Sequence, residues 1–366
     1  MIELDGSHLE GGGALVRVAL ALSALTGKEF KVTNIRAGRT EGGLKAQHVH
    51  AIKALKQLCN AETSSVDVGV TELYFKPDKL QSGTYEIDIG TAGSITLLLQ
   101  ALILPALFAP AKVTFKITGG TCGKWQASVD YLQNLLLPHL QRFAERIELK
   151  ILKRGYYPQG GGKITLEISP KLKRKDFATF SELYAAISKA CSKMTLLEQG
   201  KVEQIRGIIN VSVDLQEKEV AERMKKAAED ALKKYAVPVT IRIEYVQSLS
   251  AGGEILLWGV YSQGGKINLD DPIMLAGDAL VEPGKRSEQI GKEAAEKLSK
   301  EIDSKAAVDH YLADQLVMFM GLLPESAIRV SEVTNHTKTN MHIIEQFLPV
   351  RFSQKDHTVS VHQKEG

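Results

Sequence analysis

Residues 85–120 read YEIDIGTAGSITLLLQALILPALFAPAKVTFKITGG. Tyr85–Ile89 alternates as a strand does, and Gly90-Thr91-Ala92-Gly93 breaks it as a turn. Ser94–Phe108 is then apolar at nearly every position and long enough for a helix. Lys112–Ile117 returns to strand texture and ends at Gly119-Gly120-Thr121. The apolar run Ile95–Phe108 falls short of the roughly 20 residues that a membrane span needs, and Gln100 and Pro105 interrupt it. It reads as a helix buried in a core.

The same order of elements occurs earlier in the chain. Ile2–Leu4 reads as a short strand, Gly11-Gly12-Gly13 as a turn, and Ala14–Leu25 as a helix stopped by Gly27. Phe30–Ile35 is a strand ending at Arg36-Ala37-Gly38-Arg39. KVTNIRAG and KVTFKITGG hold equivalent places, and the spacing from Gly13 to Gly38 nearly equals that from Gly93 to Gly119. The pair reads as a duplicated α/β unit. A third glycine turn, Gly160-Gly161-Gly162, follows Tyr156-Tyr157-Pro158 and precedes the alternating strand Lys163–Ile168.

At 366 residues the chain is long enough for two or three domains of about 150 residues each. Its hydrophobic fraction of 44% and charged fraction of 24% are those of a soluble globular protein. A net charge of +3 gives no global basic field, so any nucleic-acid contact must come from a local patch. The run Lys171–Lys175, KLKRK, is a candidate for one, though a solvated loop is the commoner meaning. Cys59, Cys122 and Cys191 are odd in number and far apart. That argues against a disulfide framework and for a reducing, cytoplasmic setting. No CxxC or HExxH spacing marks a zinc site. The opening MIELDGSHLEGGG lacks the basic and apolar regions of a signal peptide.

From about Leu197 the texture changes. Val202–Leu215, Val239–Tyr245 and Ile255–Tyr261 read as strands, while Lys218–Tyr235 and Arg286–Ile302 read as charged amphipathic helices. Residues 198–306 therefore read as an inserted small α/β domain. Residues 1–197 and 307–366 make up the larger one, resumed by the helix Ala306–Leu322.

Several polar residues stand where phosphate chemistry would want them. Arg17 lies near the start of an apolar helix, where the dipole disfavours a cation unless an anion shares the site; an internal pair with Glu10 or Asp5 is the alternative. Arg36 and Arg39 flank a glycine at a strand end, which suits phosphate oxygens, and Lys45 and Gln47 follow closely. His48, Ile52, Leu55 and Cys59 share one helical face, where His48 is either functional or a satisfied core histidine. Gln100, Asp314 and Gln315 are polar groups inside apolar helices and need partners. Glu10 and Asp314 are carboxylates available to a divalent metal, since Mg²⁺ beside phosphates needs only one or two. In SEVTNHTKTNMHIIEQFLPVRF, residues 331–352, Thr339 and Asn340 are good N-caps for a helix Met341–Phe347. His336 would then sit on a loop before that helix, either as an ordinary polar residue or as a neutral imidazole able to attack phosphorus.

Taken in order, the glycine turn, RAGR, GTAGS, YYPQGGG, YLADQL and NHTKTN with FLPVRF resemble the RNA 3′-terminal phosphate cyclase family over nearly the whole chain. The resemblance implies an α/β (α+β) fold, with a large domain of three repeated βαβαββ-type units related to the enolpyruvyl transferases and a smaller inserted α/β domain. It also implies a reaction. A histidine takes AMP from ATP and passes it to an RNA 3′-terminal phosphate. The ribose 2′-hydroxyl then closes a 2′,3′-cyclic phosphate and releases AMP.

By this resemblance His336 is the nucleophile. Glu10, Arg17, Gln100, Tyr311, Asp314 and Gln315 are ATP or AMP contacts, with Tyr311 stacking on adenine. Arg36, Arg39, Gln47 and His48 bind the phosphates or the RNA end. Mg²⁺ or Mn²⁺ accompanies ATP, with Glu10 as its candidate ligand. The expected partners are RNA with a 3′-terminal phosphate and ATP; no membrane is involved, and an oligomer is compatible with the sequence. One departure is visible. Where the family has GGT, Asp or Asn, and a proline pair, this chain has GGTCGKWQASVD at Gly119–Asp130, so the proline expected over the adenine is absent and Trp125 stands in that segment. The competing readings are a non-catalytic RNA- or protein-binding relative in ribosome biogenesis and, on architecture alone, an enolpyruvyl transferase.

Overall fold

The computed structural model describes residues 1–9 and 12–364; the expected site residue Glu10 lies outside them, with Gly11, Glu365 and Gly366. The chain opens with β1 (Ile2–Asp5), α1 (Ala14–Thr26), β2 (Phe30–Thr33), α2 (Ala46–Leu58), β3 (Glu62–Thr63) and β4 (Leu73–Lys76). The strands lie in the order β1-β2-β4-β3, with β1 parallel to β2 and the other pairs antiparallel.

The second unit repeats this plan. β5 (Gly83–Asp88), α3 (Ile95–Ala106) and β6 (Val113–Gly119) are followed by α4 (Val129–Tyr131) and α5 (Leu137–Leu140), which a π-helical turn, Leu132–Leu136, joins. β7 (Ala144–Lys153) and β8 (Gly162–Pro170) complete the sheet β5-β6-β8-β7, again with only the first pair parallel.

After α6 (Phe180–Ala190) a third unit starts with the two-residue strand β9 (Thr195–Leu196). Its next element arrives only after a fourth sheet. That sheet comprises β10 (Lys201–Ser212), β11 (Val239–Val246), β12 (Gly253–Ser262) and β13 (Met274–Leu280), in the order β11-β10-β12-β13, with helices α7 (Val220–Leu232) and α8 (Ser287–Asp303). The third unit then resumes with α9 (His310–Met320), β14 (Ala327–Arg329), α10 (Asn335–Phe347), β15 (Val350–Lys355) and β16 (Thr358–Gln363). Its sheet runs β9-β14-β16-β15, with β9 parallel to β14. The large part is thus three βαβαββ units of one topology.

α1 is ALVRVALALSALT, apolar on every face, so it can only be a buried helix. Every one of its residues is buried, Arg17 included. Gly27 ends it in the left-handed conformation at φ +77. α1 packs on α3 and on α10, so one helix from each unit meets at the centre.

The fourth sheet is tied down by polar groups. Gln199 Nε2 donates to the carbonyls of Glu301, Ile302 and Ala306, clamping together the chain segments that enter and leave it. Arg154, at the end of β7, pairs with Asp130 of α4 and with Glu244 of β11 (2.8 Å). The run Lys171–Lys175 is a connection pinned to the large part, with Lys171 Nζ on Ala190 O and Arg174 N on Phe108 O. The three cysteines are free and buried. Among the described residues, no helix is long and apolar enough to cross a membrane.

Candidate active site

The junction of α1, α3 and α10 opens as a cleft, closed on its far side by α9 and by the loop after β6. Arg17 from α1, Gln100 from α3 and His336 from α10 line it, one residue from each repeat, together with Tyr311, Asp314 and Gln315 of α9. Its apolar walls include Val18, Ile103, Leu132, Leu136 and Phe319.

The local sequence explains how His336 is held. α10 begins at Asn335, not at Met341, because Thr334 is its N-cap and accepts from Thr337 N at 3.0 Å. His336 therefore lies in the first turn of the helix rather than on a loop before it. Thr339 and Asn340 are inside the helix and buried. The shift has a tertiary cause. Asp314 Oδ1 accepts from the hydroxyls of both Thr334 (2.6 Å) and Thr337 (2.5 Å), and Asp314 O accepts from Asn340 Nδ2 (2.7 Å). These bonds pin the polar stretch to α9 and make it helical. Removing the cap hydroxyl with Thr334→Ala is expected to lower stability by about 1 kcal/mol, with Thr334→Ser restoring it, as read from urea unfolding midpoints.

Burial holds the His336 imidazole below its ordinary pKa of 6.5; the charges of Arg17 and Arg39 push the same way, and Asp314 opposes them. The ring therefore favours its neutral form at pH 7, the form that carries a lone pair. Asp314 is raised by its own burial, against which the two threonine hydroxyls act.

Arg17 is the most unusual group. Its guanidinium is buried, and among the described residues no carboxylate pairs with it. Nε donates to Gln100 Oε1 at 2.8 Å, and Nη1 lies 3.2 Å from His48 Nε2. Asp5, one alternative partner, instead accepts from Ser7 and Asn34. Burial and the charge of Arg36 lower the Arg17 pKa to about 10.

His48 is fully buried, and its Nδ1 accepts the backbone N–H of Lys45 at 3.0 Å. Burial, Arg17, Arg36 and Lys45 hold it well below 6.5, so it is neutral and its proton resides on Nε2. An N–H of His48 and an N–H of Arg17 thus converge beside Gly13, where a Cβ would stand 2.3 Å from Nε2 and 2.9 Å from Nη1.

Arg36 is half-buried at φ +58, and its buried Nε has no partner among the described residues. Its charge reaches Arg17 and His48, and that of Arg39, on the exposed part of the same loop, reaches His336. The sequence expectations thus fall into three groups. Arg17, Gln100, Tyr311, Asp314, Gln315 and His336 line the cleft. Arg36, Arg39 and His48 surround it electrostatically, with His48 behind Arg17. Gln47 is half-buried in the first turn of α2 and does not line the cleft. Among the lining residues that sequence reasoning missed, two are amides. Asn340 is buried, and among the described residues neither its Oδ1 nor Gln126 Oε1 has a hydrogen-bond partner. Asn340 was legible only with the longer helix, which sets it four residues from His336 on one face. Among the described residues, no group of three or more His, Cys, Asp or Glu forms a metal ligand set.

A family model described as RNA 3′-terminal phosphate cyclase matches residues 8–354. The chain belongs to that family. It is 42% identical over 348 residues to the RNA 3′-terminal phosphate cyclase of Pyrococcus abyssi, covering 95% of this chain and 93% of that one. It is 40% identical over 357 residues to the namesake from Pyrococcus furiosus, covering 97% and 95%. A third, from Methanosarcina acetivorans, is 40% identical over 371 residues, covering 100% of this chain and 98% of the relative. The match includes the segment between β9 and α9, so that segment lies within the family's own length.

Proposed function

We propose that the protein converts an RNA 3′-terminal phosphate to a 2′,3′-cyclic phosphate at the expense of ATP. The observation that carries this reading is a neutral imidazole, His336, sharing a cleft with a buried guanidinium that has no carboxylate among the described residues. His336 attacks the α-phosphorus, the bond to pyrophosphate breaks, and AMP is left on the ring nitrogen. An oxygen of the RNA 3′-phosphate then attacks that phosphorus and frees the histidine. Finally the 2′-hydroxyl attacks the terminal phosphorus, loses its proton and expels AMP. The need for that hydroxyl restricts the substrate to RNA.

The residues supply positioning and charge, the main requirements of phosphoryl transfer. Arg17 offers its guanidinium to a phosphate oxygen, His48 supports it from behind, and Arg36 and Arg39 add charge at the rim. Tyr311 offers its ring to the adenine. Asp314 holds the first turn of α10 in place and with it His336. The donor set suits a divalent ion held mainly by phosphate oxygens and water, as Mg²⁺ or Mn²⁺ would be, with Asp314 the described carboxylate nearest to hand; its chemistry is to neutralise phosphate charge. In this reading residues 1–197 and 307–366 form the catalytic domain and 198–306 the inserted one.

The test is the mass of an RNA bearing a 3′-phosphate after incubation with protein, ATP and Mg²⁺. The end should lose one water, with AMP and pyrophosphate released; an unchanged end contradicts the proposal. The rate of self-adenylylation should fall as pH drops through the His336 pKa, with its inflection below 6.5 because burial favours the neutral ring. An inflection above 6.5 would contradict this account of the nucleophile.

A further inference from the structure

Only three aromatic side chains of Phe, Tyr or Trp are exposed among the described residues: Trp125, Tyr157 and Tyr311. All three belong to the cleft or to loops beside it. Trp125, at 91% exposed, stands at the cleft's rim, held out by a left-handed backbone at φ +62 that non-glycine residues adopt at a cost. Tyr157 is 81% exposed on the loop between β7 and β8.

The two loops are joined at their bases, where Thr121 N donates to Gly155 O at 2.9 Å and Gly155 N donates to Thr121 Oγ1 at 3.2 Å. A loop of the fourth sheet extends this surface. Gln159 N donates to Ser250 Oγ at 3.1 Å, and Leu249, itself 54% exposed, packs against Gly161. The Trp125 loop also reaches the fourth sheet through Lys124 Nζ, 3.3 Å from Glu282. Beyond Ala251 and Gly252 the surface enters a groove lined by Lys218, Arg223, Lys285, Arg286 and Glu282; Arg223 pairs with Glu288 and Lys285 with Glu293, so Lys218 and Arg286 are its cations without a carboxylate partner among the described residues.

We propose that this continuous surface carries the single-stranded RNA upstream of the reacting end, with bases stacked on Trp125 and Tyr157 and backbone phosphates drawn into the basic groove of the fourth sheet. The proposal rests on the cyclase reading and gives the inserted segment a role in it. The chemistry fits a single strand. Every base has a π-face, so exposed rings bind bases without regard to sequence, and cations follow the backbone. Continuity with the cleft mouth places the surface where the chain leading to a bound 3′-phosphate must pass.

The chain's two tryptophans make the test direct, because Trp258 is 9% exposed and Trp125 is not. A 3′-phosphorylated oligouridylate of about ten nucleotides, added without ATP, should quench the exposed tryptophan emission. Trp125→Phe should abolish the quenching and Trp258→Phe should retain it. Tyr157→Ala, followed through the Trp125 signal, should weaken binding about tenfold. In turnover it should raise KM for the long oligonucleotide but not for a 3′-phosphorylated dinucleotide. Emission unmoved by RNA, emission quenched only by ATP, or Tyr157→Ala binding as tightly as the parent would each overturn the proposal. A protein that binds the oligonucleotide in this way yet takes no label from ATP would keep the RNA surface and lose the cyclase reading.

Discussion

His336→Ala is expected to abolish transfer of label from α-labelled ATP to the protein, a loss of at least about a thousandfold. The imidazole is the bond-forming group in this account, and the first turn of α10 offers no substitute. Thr337, the next polar side chain in that turn, already donates its hydroxyl to Asp314. Folding should survive, since His336 is only half-buried and its turn is fixed by Thr334 and Asp314. His336→Asn, which keeps a polar side chain of similar bulk, should be equally dead. Residual labelling of either variant above about one per cent would place the nucleophile elsewhere.

Arg17→Met is expected to separate activity from stability. Adenylylation should fall by at least about a hundredfold, because the triphosphate loses the buried guanidinium that lines the cleft. Stability should not fall with it. Burial depresses the Arg17 pKa from 12.5 to about 10, a penalty on the order of 3 kcal/mol for keeping the cation inside. An apolar side chain of similar length escapes that penalty and gives up only the contacts to Gln100 and His48. The melting temperature should therefore hold or rise. Arg17→Lys should stay nearly inactive, since an ammonium lacks the rigid planar fork that reaches Gln100 and a phosphate oxygen from separate nitrogens. A variant that loses stability in proportion to activity would mark Arg17 as structural.

Much of this architecture was readable from the residues. The apolar helices α1 and α3 and the glycine turns before them gave two copies of one unit, because an all-apolar helix has few alternatives. The third copy was hidden for a physical reason. Its first strand is only Thr195–Leu196, too short to show a period, and the fourth sheet separates it from α9. The start of α10 was misplaced because Asn335–Asn340 is polar and rich in poor helix formers. Its helicity comes from Asp314, more than twenty residues earlier, which no local pattern reveals. Arg17 and Gln100 stood out as polar exceptions inside apolar helices, and they bond to each other. Gln47 stood out only by its neighbours, and it lies outside the cleft lining. Gln126 and Asn340 are ordinary amides until the fold buries an oxygen of each with no partner among the described residues.

The most direct measurement is peptide mapping of the protein after reaction with ATP and Mg²⁺ but no RNA. One adenylyl group should be found on His336, lost in acid as a phosphoramidate is and lost again on adding an RNA 3′-phosphate. An adduct on a lysine or a hydroxyl, or an unmodified protein, would contradict the account.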